Sequence, residues 1–228
     1  MQVMANLLRI RTVLQTAIHA QEVERLTALL HAAAAGNVGA VRQALQAGGT
    51  DINASDLDGR SALQLACARG HSDVAALLLA AGAHTGASSS ETSSSPLLEA
   101  CRGGHDDVVA LLLQHRAELG LAEGDAAILL CKAVSDGDLK FLQRLVRAGA
   151  RVCVTDYDRR TPLHVAAAES NLSACQMLLD AGADVTARDR WGHTPLDDAQ
   201  LVGATTVIQH LQTRHALFGC LFEAGAGL

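Results

Sequence analysis

Side chains that take up a proton, a metal or an electron pair are plentiful in this chain, which holds ten His and six Cys. Their spacing builds no reaction centre. Asp197 and Asp198 are adjacent; helical neighbours point about a hundred degrees apart, so they cannot flank one bond as a catalytic carboxylate pair does. His210 and His215 are five residues apart, a poor spacing for two metal ligands on one helix. Asp106 and Asp107 suit the start of a helix, where negative charge is favoured. His71 and His105 each follow a Gly and are expected in solvent. Cys67, Cys101, Cys131, Cys153, Cys175 and Cys220 are spread along the chain without zinc-ligand spacing. With no signal peptide before them, they read as small buried hydrophobes in a reducing compartment, cytoplasmic or nuclear. A P-loop, a G-x-S-x-G and a G-x-G-x-x-G after a strand are all missing. The sequence therefore implies no enzyme, with no catalytic, cofactor-binding or metal-binding residues.

The elements that position these side chains repeat themselves. D-Y-D-R-R-T-P-L-H-V-A-A-A-E begins at Asp156 and D-R-W-G-H-T-P-L-D-D-A at Asp189, an offset of 33 residues. Asp and Gly turn the chain at a hairpin tip. Thr is a good N-cap and Pro fits the first helical position. Leu and Ala then make a thin helix face that a neighbour can approach closely. Gly36, Gly70, Gly104, Gly137 and Gly203 mark the ends of first helices, with Ser170 in the missed slot. Gly48, Gly82, Gly149 and Gly182 mark the ends of second helices, with Arg116 and His215 in the other two slots. The period gives about six helix-turn-helix repeats, starting near Val23, Leu57, Glu91, Gly124, Tyr157 and Arg190. The fold class expected is an all-α solenoid.

Three flanking or irregular segments complete the plan. Val3, Leu7, Ile10, Leu14 and Ile18 recur at steps of three and four, which predicts an amphipathic helix over residues 1–22 that caps an array at 23–215. The tail, 216–228, is apolar and Gly-rich, and either frays or covers the open end. The polar run Ser88–Ser95 replaces the Asp and Gly of a tip and should be the softest finger.

With 49% hydrophobic but only 2% aromatic residues, the core must be Ala, Leu and Val. A net charge of −6 argues against a nucleic-acid partner, which wants a basic face. No apolar run approaches the ~18 residues of a membrane span, so direct membrane insertion is not expected. What repeats offer is a concave face lined by hairpin tips and the exposed sides of first helices. Leu57, Arg60, Tyr157, Arg160, Arg190, Trp191 and His193 fall at tips, and Arg69, Arg102 and Glu169 on first helices. The chain's single Trp and single Tyr are both in this set, and Arg, Tyr and Trp are the types that most often dominate binding energy. These ten residues are the candidate partner-binding site of a monomer that takes a protein partner. Trp191 is open to two readings: an anchor for the partner, or a cover folded over the neighbouring repeat.

A period of this length opening on T-P-L-H resembles the ankyrin repeat, over about Val23 to Leu211. The resemblance implies that His164 hydrogen-bonds neighbouring turns. A narrower likeness lies in S-P-L-L-E-A at Ser95–Ala100, L-L-C-K-A-V-S-D-G-D-L-K-F-L-Q-R-L at Leu129–Leu145, and the two T-P-L motifs. In order, these are similar to the cytosolic ankyrin region of plant voltage-gated potassium channels. The last two motifs also resemble ankyrin tails of glutaminase-type and asparaginase-type amidases and of plant ankyrin kinases. No pore, voltage sensor, cyclic-nucleotide-binding, amidase or kinase domain accompanies them. The main expectation is a protein-binding adaptor or scaffold; the alternative is the regulatory ankyrin segment of a channel or enzyme. Met1 and the apolar tail point toward a small protein complete in itself.

Overall fold

The computed structural model describes residues 2–86 and 94–225; side-chain positions are described from His19 to His215 within that range, together with Gln15. The chain divides into two compact units, Met1–Gly120 and Leu121–Leu228. Among the described residues there are twelve helices, and the only β-type pairing is an isolated bridge between Ser55 and Ser61. The fold is the all-helical solenoid of about six helix-turn-helix repeats that the period predicts.

In the first unit the helices are α1 (Gln2–Ala34), α2 (Val38–Ala47), α3 (Ala62–Ala68), α4 (Ser72–Ala80), α5 (Pro96–Gly103) and α6 (Asp106–Gln114). First helices α1, α3 and α5 pack in one row and second helices α2, α4 and α6 in another. The second unit repeats the plan with α7 (Glu123–Ser135), α8 (Leu139–Arg147), α9 (Pro162–Ala168), α10 (Leu172–Asp180), α11 (Pro195–Val202) and α12 (Thr205–Gly225). There α7, α9 and α11 form the first row, and α8, α10 and α12 the second. Leu63, Leu78, Leu97 and Leu112 fill the first core, and Leu130, Leu145, Leu163 and Leu178 the second, each fully buried beside small Ala residues.

Backbone conformation follows the markers. Gly70, Gly104 and Gly137 lie at φ +76°, +78° and +68°, the left-handed turn between the helices of a pair, and Ser170 takes it at +55°. Where Gly is missing at a second-helix end, two outcomes occur. Arg116 adopts the left-handed turn itself, at φ +56°. His215 does not stop the chain, and α12 runs on to Gly225. Helix starts are capped as the T-P motif requires. Thr161 and Thr194 accept a hydrogen bond from the backbone N–H three residues on, and Pro follows each. Ser95 caps α5 in the same way, and its Oγ donates to the carbonyl of Leu119 at 2.7 Å.

Several expectations need correction or relocation. His71 and His105 are not free in solvent. Each is half-buried, with Nε2 3.1 Å from the carbonyl of Ala34 and 3.2 Å from that of Ala68, in the preceding repeat. They reach there because Gly36 and Gly70 leave room: a Cβ on Gly70 would stand 2.4 Å from His105 Nδ1. Cys67, Cys101 and Cys175 are buried as small hydrophobes, but Cys153 is exposed. Helix α1 passes residues 22 and 23 without a break. The amphipathic face expected at Val3–Ile18 and the fraying or covering expected of 216–228 fall outside the described side chains. Residues 88–93 of the polar run lie outside the described residues altogether.

Candidate functional site

Each tip is built around one Asp. The Oδ1 of Asp56 accepts from the backbone N–H groups of Asp58 and Arg60 at 3.0 and 2.8 Å. Asp156 does the same for Asp158 and Arg160, and Asp189 for Trp191 and His193. These carboxylates satisfy amides that have no ladder partner, which is why short fingers hold shape without strands. For Asp56 and Asp189, burial raises the pKa, but backbone hydrogen bonds, joined at Asp56 by the Arg60 guanidinium, outweigh it and hold the group below its ordinary value. Asp197 is held low by the backbone N–H and hydroxyl of Thr194, which it closes into a capping box.

Behind the tips, buried polar side chains tie one repeat to the next. His164 Nδ1 accepts from the N–H of Thr161 at 3.1 Å. That leaves the proton on Nε2, which stands 3.1 Å from the carbonyl of His193 and donates to it. Gln64 plays the part in the second repeat: Oε1 accepts from the N–H of Ser61 and Nε2 donates to the carbonyl of Ser94.

In the first unit, four of the sequence candidates meet in one groove of about 750 Å³. Leu57 and Arg60 come from a tip, Arg69 from the end of α3 and Arg102 from α5. Leu57 is fully exposed. Arg60 is closed onto Asp56 and Asp58 at 3.1 and 2.6 Å, and Arg102 lies 3.6 Å from Glu99. The groove shows that a tip and the exposed side of the following first helix line one face.

In the second unit, Tyr157 stands 97% exposed and Trp191 60% exposed, on successive tips. Arg190 lies over the indole, 5.0 Å from its centroid, and its Nη1 donates to Asp158 at 2.6 Å. Its backbone N–H also reaches the carbonyl of Asp158, at 2.8 Å. Arg160 turns the other way, to Asp198 on α11 at 3.1 Å. The fifth finger is thus joined to the sixth repeat by ion pairs running in both directions, one with the tip and one with α11. Glu169 and His193 are exposed, His193 with Nδ1 3.8 Å from Asp189.

Asp189, His193 and Asp198 present ligand atoms within 4.8 Å of one another, the arrangement among the described residues with the spacing for a metal ion. Its capacity is already used: Asp189 Oδ1 holds two amides, and the Arg160 guanidinium supplies the positive charge at Asp198. The cluster reads as part of the finger architecture.

Sequence reasoning passed over Leu201 and Val202, which are exposed at the end of α11. Their register was available, because they precede Gly203 as Ala168 and Glu169 precede Ser170. Apolar type alone hid them, since Leu and Val are assigned to a core by default.

The family description "Ankyrin repeats (3 copies)" matches residues 4–89, 29–123 and 130–217. The chain belongs to the ankyrin-repeat family. Two similar relatives carry ankyrin-like stretches aligned to this one. The potassium channel GORK of Arabidopsis thaliana is 38% identical over 83 residues, covering 36% of this chain and 10% of the channel. The potassium channel SKOR of the same plant is 51% identical over 43 residues, covering 19% of this chain and 5% of the channel. The chain therefore spans a tenth or less of the length of either channel. No described helix is long and apolar enough to cross a membrane.

Proposed function

We propose that this chain is a protein-binding ankyrin array that serves as a regulatory segment of a potassium channel, on the channel's cytosolic side. The likeness to GORK and SKOR favours this over a free-standing adaptor, which would use the same surface. Binding is assigned to the tips and first-helix faces: the groove of Leu57, Arg60, Arg69 and Arg102, and the fingers of Tyr157, Arg160, Arg190, Trp191 and His193 with Glu169 behind them. Exposed aromatic and guanidinium groups on pre-formed fingers support that assignment, because side chains of this kind give up little freedom on binding. The segment at 1–22 is proposed as a cap of the array, and the chain as a monomer whose partner is protein.

A chimaera tests the channel reading. The stretch of GORK that aligns with this chain is replaced by the matching segment of this chain, and potassium currents are recorded in oocytes. Currents gated like those of the parent channel support the reading. Loss of current from a chimaera that still reaches the surface overturns it.

A further inference from the structure

The tips of the fifth and sixth repeats carry two exposed rings whose donors are unspent. Tyr157 is 97% exposed and Trp191 60%. Among the described residues, neither the phenol O–H nor the indole N–H has a hydrogen-bond partner in the protein. The backbone brings the two residues near each other, because the Arg190 N–H donates to the Asp158 carbonyl at 2.8 Å. With 3.8 Å between consecutive Cα atoms and about 6 Å across such a bond, the Cα atoms of Tyr157 and Trp191 lie within about 14 Å. The indole is also held in place. Arg190 lies over it at 5.0 Å and is itself fixed to Asp158 at 2.6 Å. A ring already ordered gives up little freedom on binding.

Charge does not select the partner here. Residues 156–160 and 188–198 hold five carboxylates against four guanidiniums. Two of the pairs are closed, Arg160 with Asp198 and Arg190 with Asp158. So near a balance offers little field to a strongly acidic or strongly basic chain. What the tips do offer is apolar ring surface and two free donors. The complement is an uncharged segment with apolar rings of its own and carbonyls that lack donors. A proline-rich chain in the polyproline II form meets both conditions. It has no internal hydrogen bonds, its carbonyls are open, and its rings dock on aromatic side chains. At a rise of 3.1 Å per residue, about five residues span the distance between the two tips. We propose that the fifth and sixth tips dock an uncharged, proline-rich protein segment. Tyr157 and Trp191 pack on its rings, and their O–H and N–H donate to its carbonyls. This rests on the protein-binding reading above and names the partner's chemistry.

The single Trp makes the test direct, because indole fluorescence reports from the site itself. The full chain is titrated with capped decaproline, with capped decapeptides alternating glutamate and leucine or lysine and leucine, and with a ten-nucleotide oligothymidylate. The expected result is a saturable change with decaproline alone, unaltered by added salt. Tyr157→Ala keeps the fluorescent reporter and is expected to lose at least tenfold in affinity. Tyr157→Phe keeps the ring, loses the donor and is expected to lose about threefold. Both should unfold at the parent's midpoint, since the ring is 97% exposed, so a loss of binding cannot come from damage to the fold. No response to decaproline, binding by either variant equal to the parent's, or equally tight binding of a charged peptide or of the oligothymidylate each overturns the proposal. If decaproline fails while the channel chimaera still conducts, only the proline specificity falls; if decaproline binds and the chimaera is silent, only the channel reading falls.

Discussion

Gly70→Ala tests whether the His105 contact holds neighbouring repeats together. The residue lies at φ +76°, so a Cβ alone costs about 1–2 kcal/mol from the left-handed backbone. At this position the Cβ would also stand 2.4 Å from His105 Nδ1. The imidazole must leave, and with it goes the hydrogen bond to the Ala68 carbonyl at 3.2 Å. One such bond contributes a net ~0.5–1.5 kcal/mol, and the lost packing of a half-buried ring adds to that. The expected total is about 2–3 kcal/mol. Gly82→Ala is the control in the same unit: φ is +90° and nothing lies within 4 Å of the added Cβ, so only the backbone cost remains. Urea unfolding followed by far-ultraviolet circular dichroism measures both. The excess of about 1 kcal/mol over a slope of about 1–3 kcal/mol per molar should separate the two midpoints by roughly 0.3–1 M. In a His105→Ala background the excess cost of Gly70→Ala should vanish, leaving a value near that of Gly82→Ala. Equal midpoints for the two single variants, or an excess that survives removal of the imidazole, would refute the reasoning.

Further outcomes follow from other sites. Trp191→Ala should weaken partner binding by ~2 kcal/mol or more and shift the unfolding midpoint less, because the indole is 60% exposed; a variant that unfolds early yet binds normally would assign Trp191 to packing. Asp56, Asp189 and Asp197 have folded-state pKa values lowered from their ordinary one. Their contribution is therefore full above about pH 4 and lost as pH falls through the lower folded values, so acid should open the fingers, and Asp197→Asn should flatten the acid limb of a stability-versus-pH curve. Burial pushes the Cys67 and Cys175 thiols up to about 12, while Cys153 is exposed. Iodoacetamide at pH 8 should label Cys153 in the native chain and reach the other two only after denaturant is added, as read by peptide mass spectrometry.

The fold was legible because its signals are local. A Gly that must turn left-handed, a Thr before a Pro and an Asp that gathers amides each act within a few residues, and 33-residue spacing repeats them. What escaped depended on atoms one repeat away. His71 and His105 look like solvent residues until the Gly of the preceding repeat is placed beneath them. Arg116 shows that a strained corner can be filled without Gly, and His215 that a missing Gly can simply lengthen a helix. At the candidate site, residue type located the tips, but the partners of Arg160 and Arg190 were invisible, since ion pairs across repeats leave no spacing rule. Leu201 and Val202 were hidden for the opposite reason: their type suggested a core and only their register placed them outside it.

The two ion pairs between the fifth and sixth repeats bear on how such an array can change its length. In the first unit, successive repeats are linked from side chain to backbone: Gln64 to the carbonyl of Ser94, His105 to that of Ala68. Any inserted copy would offer the same carbonyls, so a duplication there preserves every link. Between the fifth and sixth repeats the links are reciprocal and specific, Arg160 to Asp198 and Arg190 back to Asp158. A duplicated fifth or sixth repeat placed between Asp180 and Arg188 would re-form both pairs on one side only and leave one guanidinium and one carboxylate without a partner. A change of length at this junction therefore carries a charge cost that the side-chain-to-backbone links of the first unit do not impose.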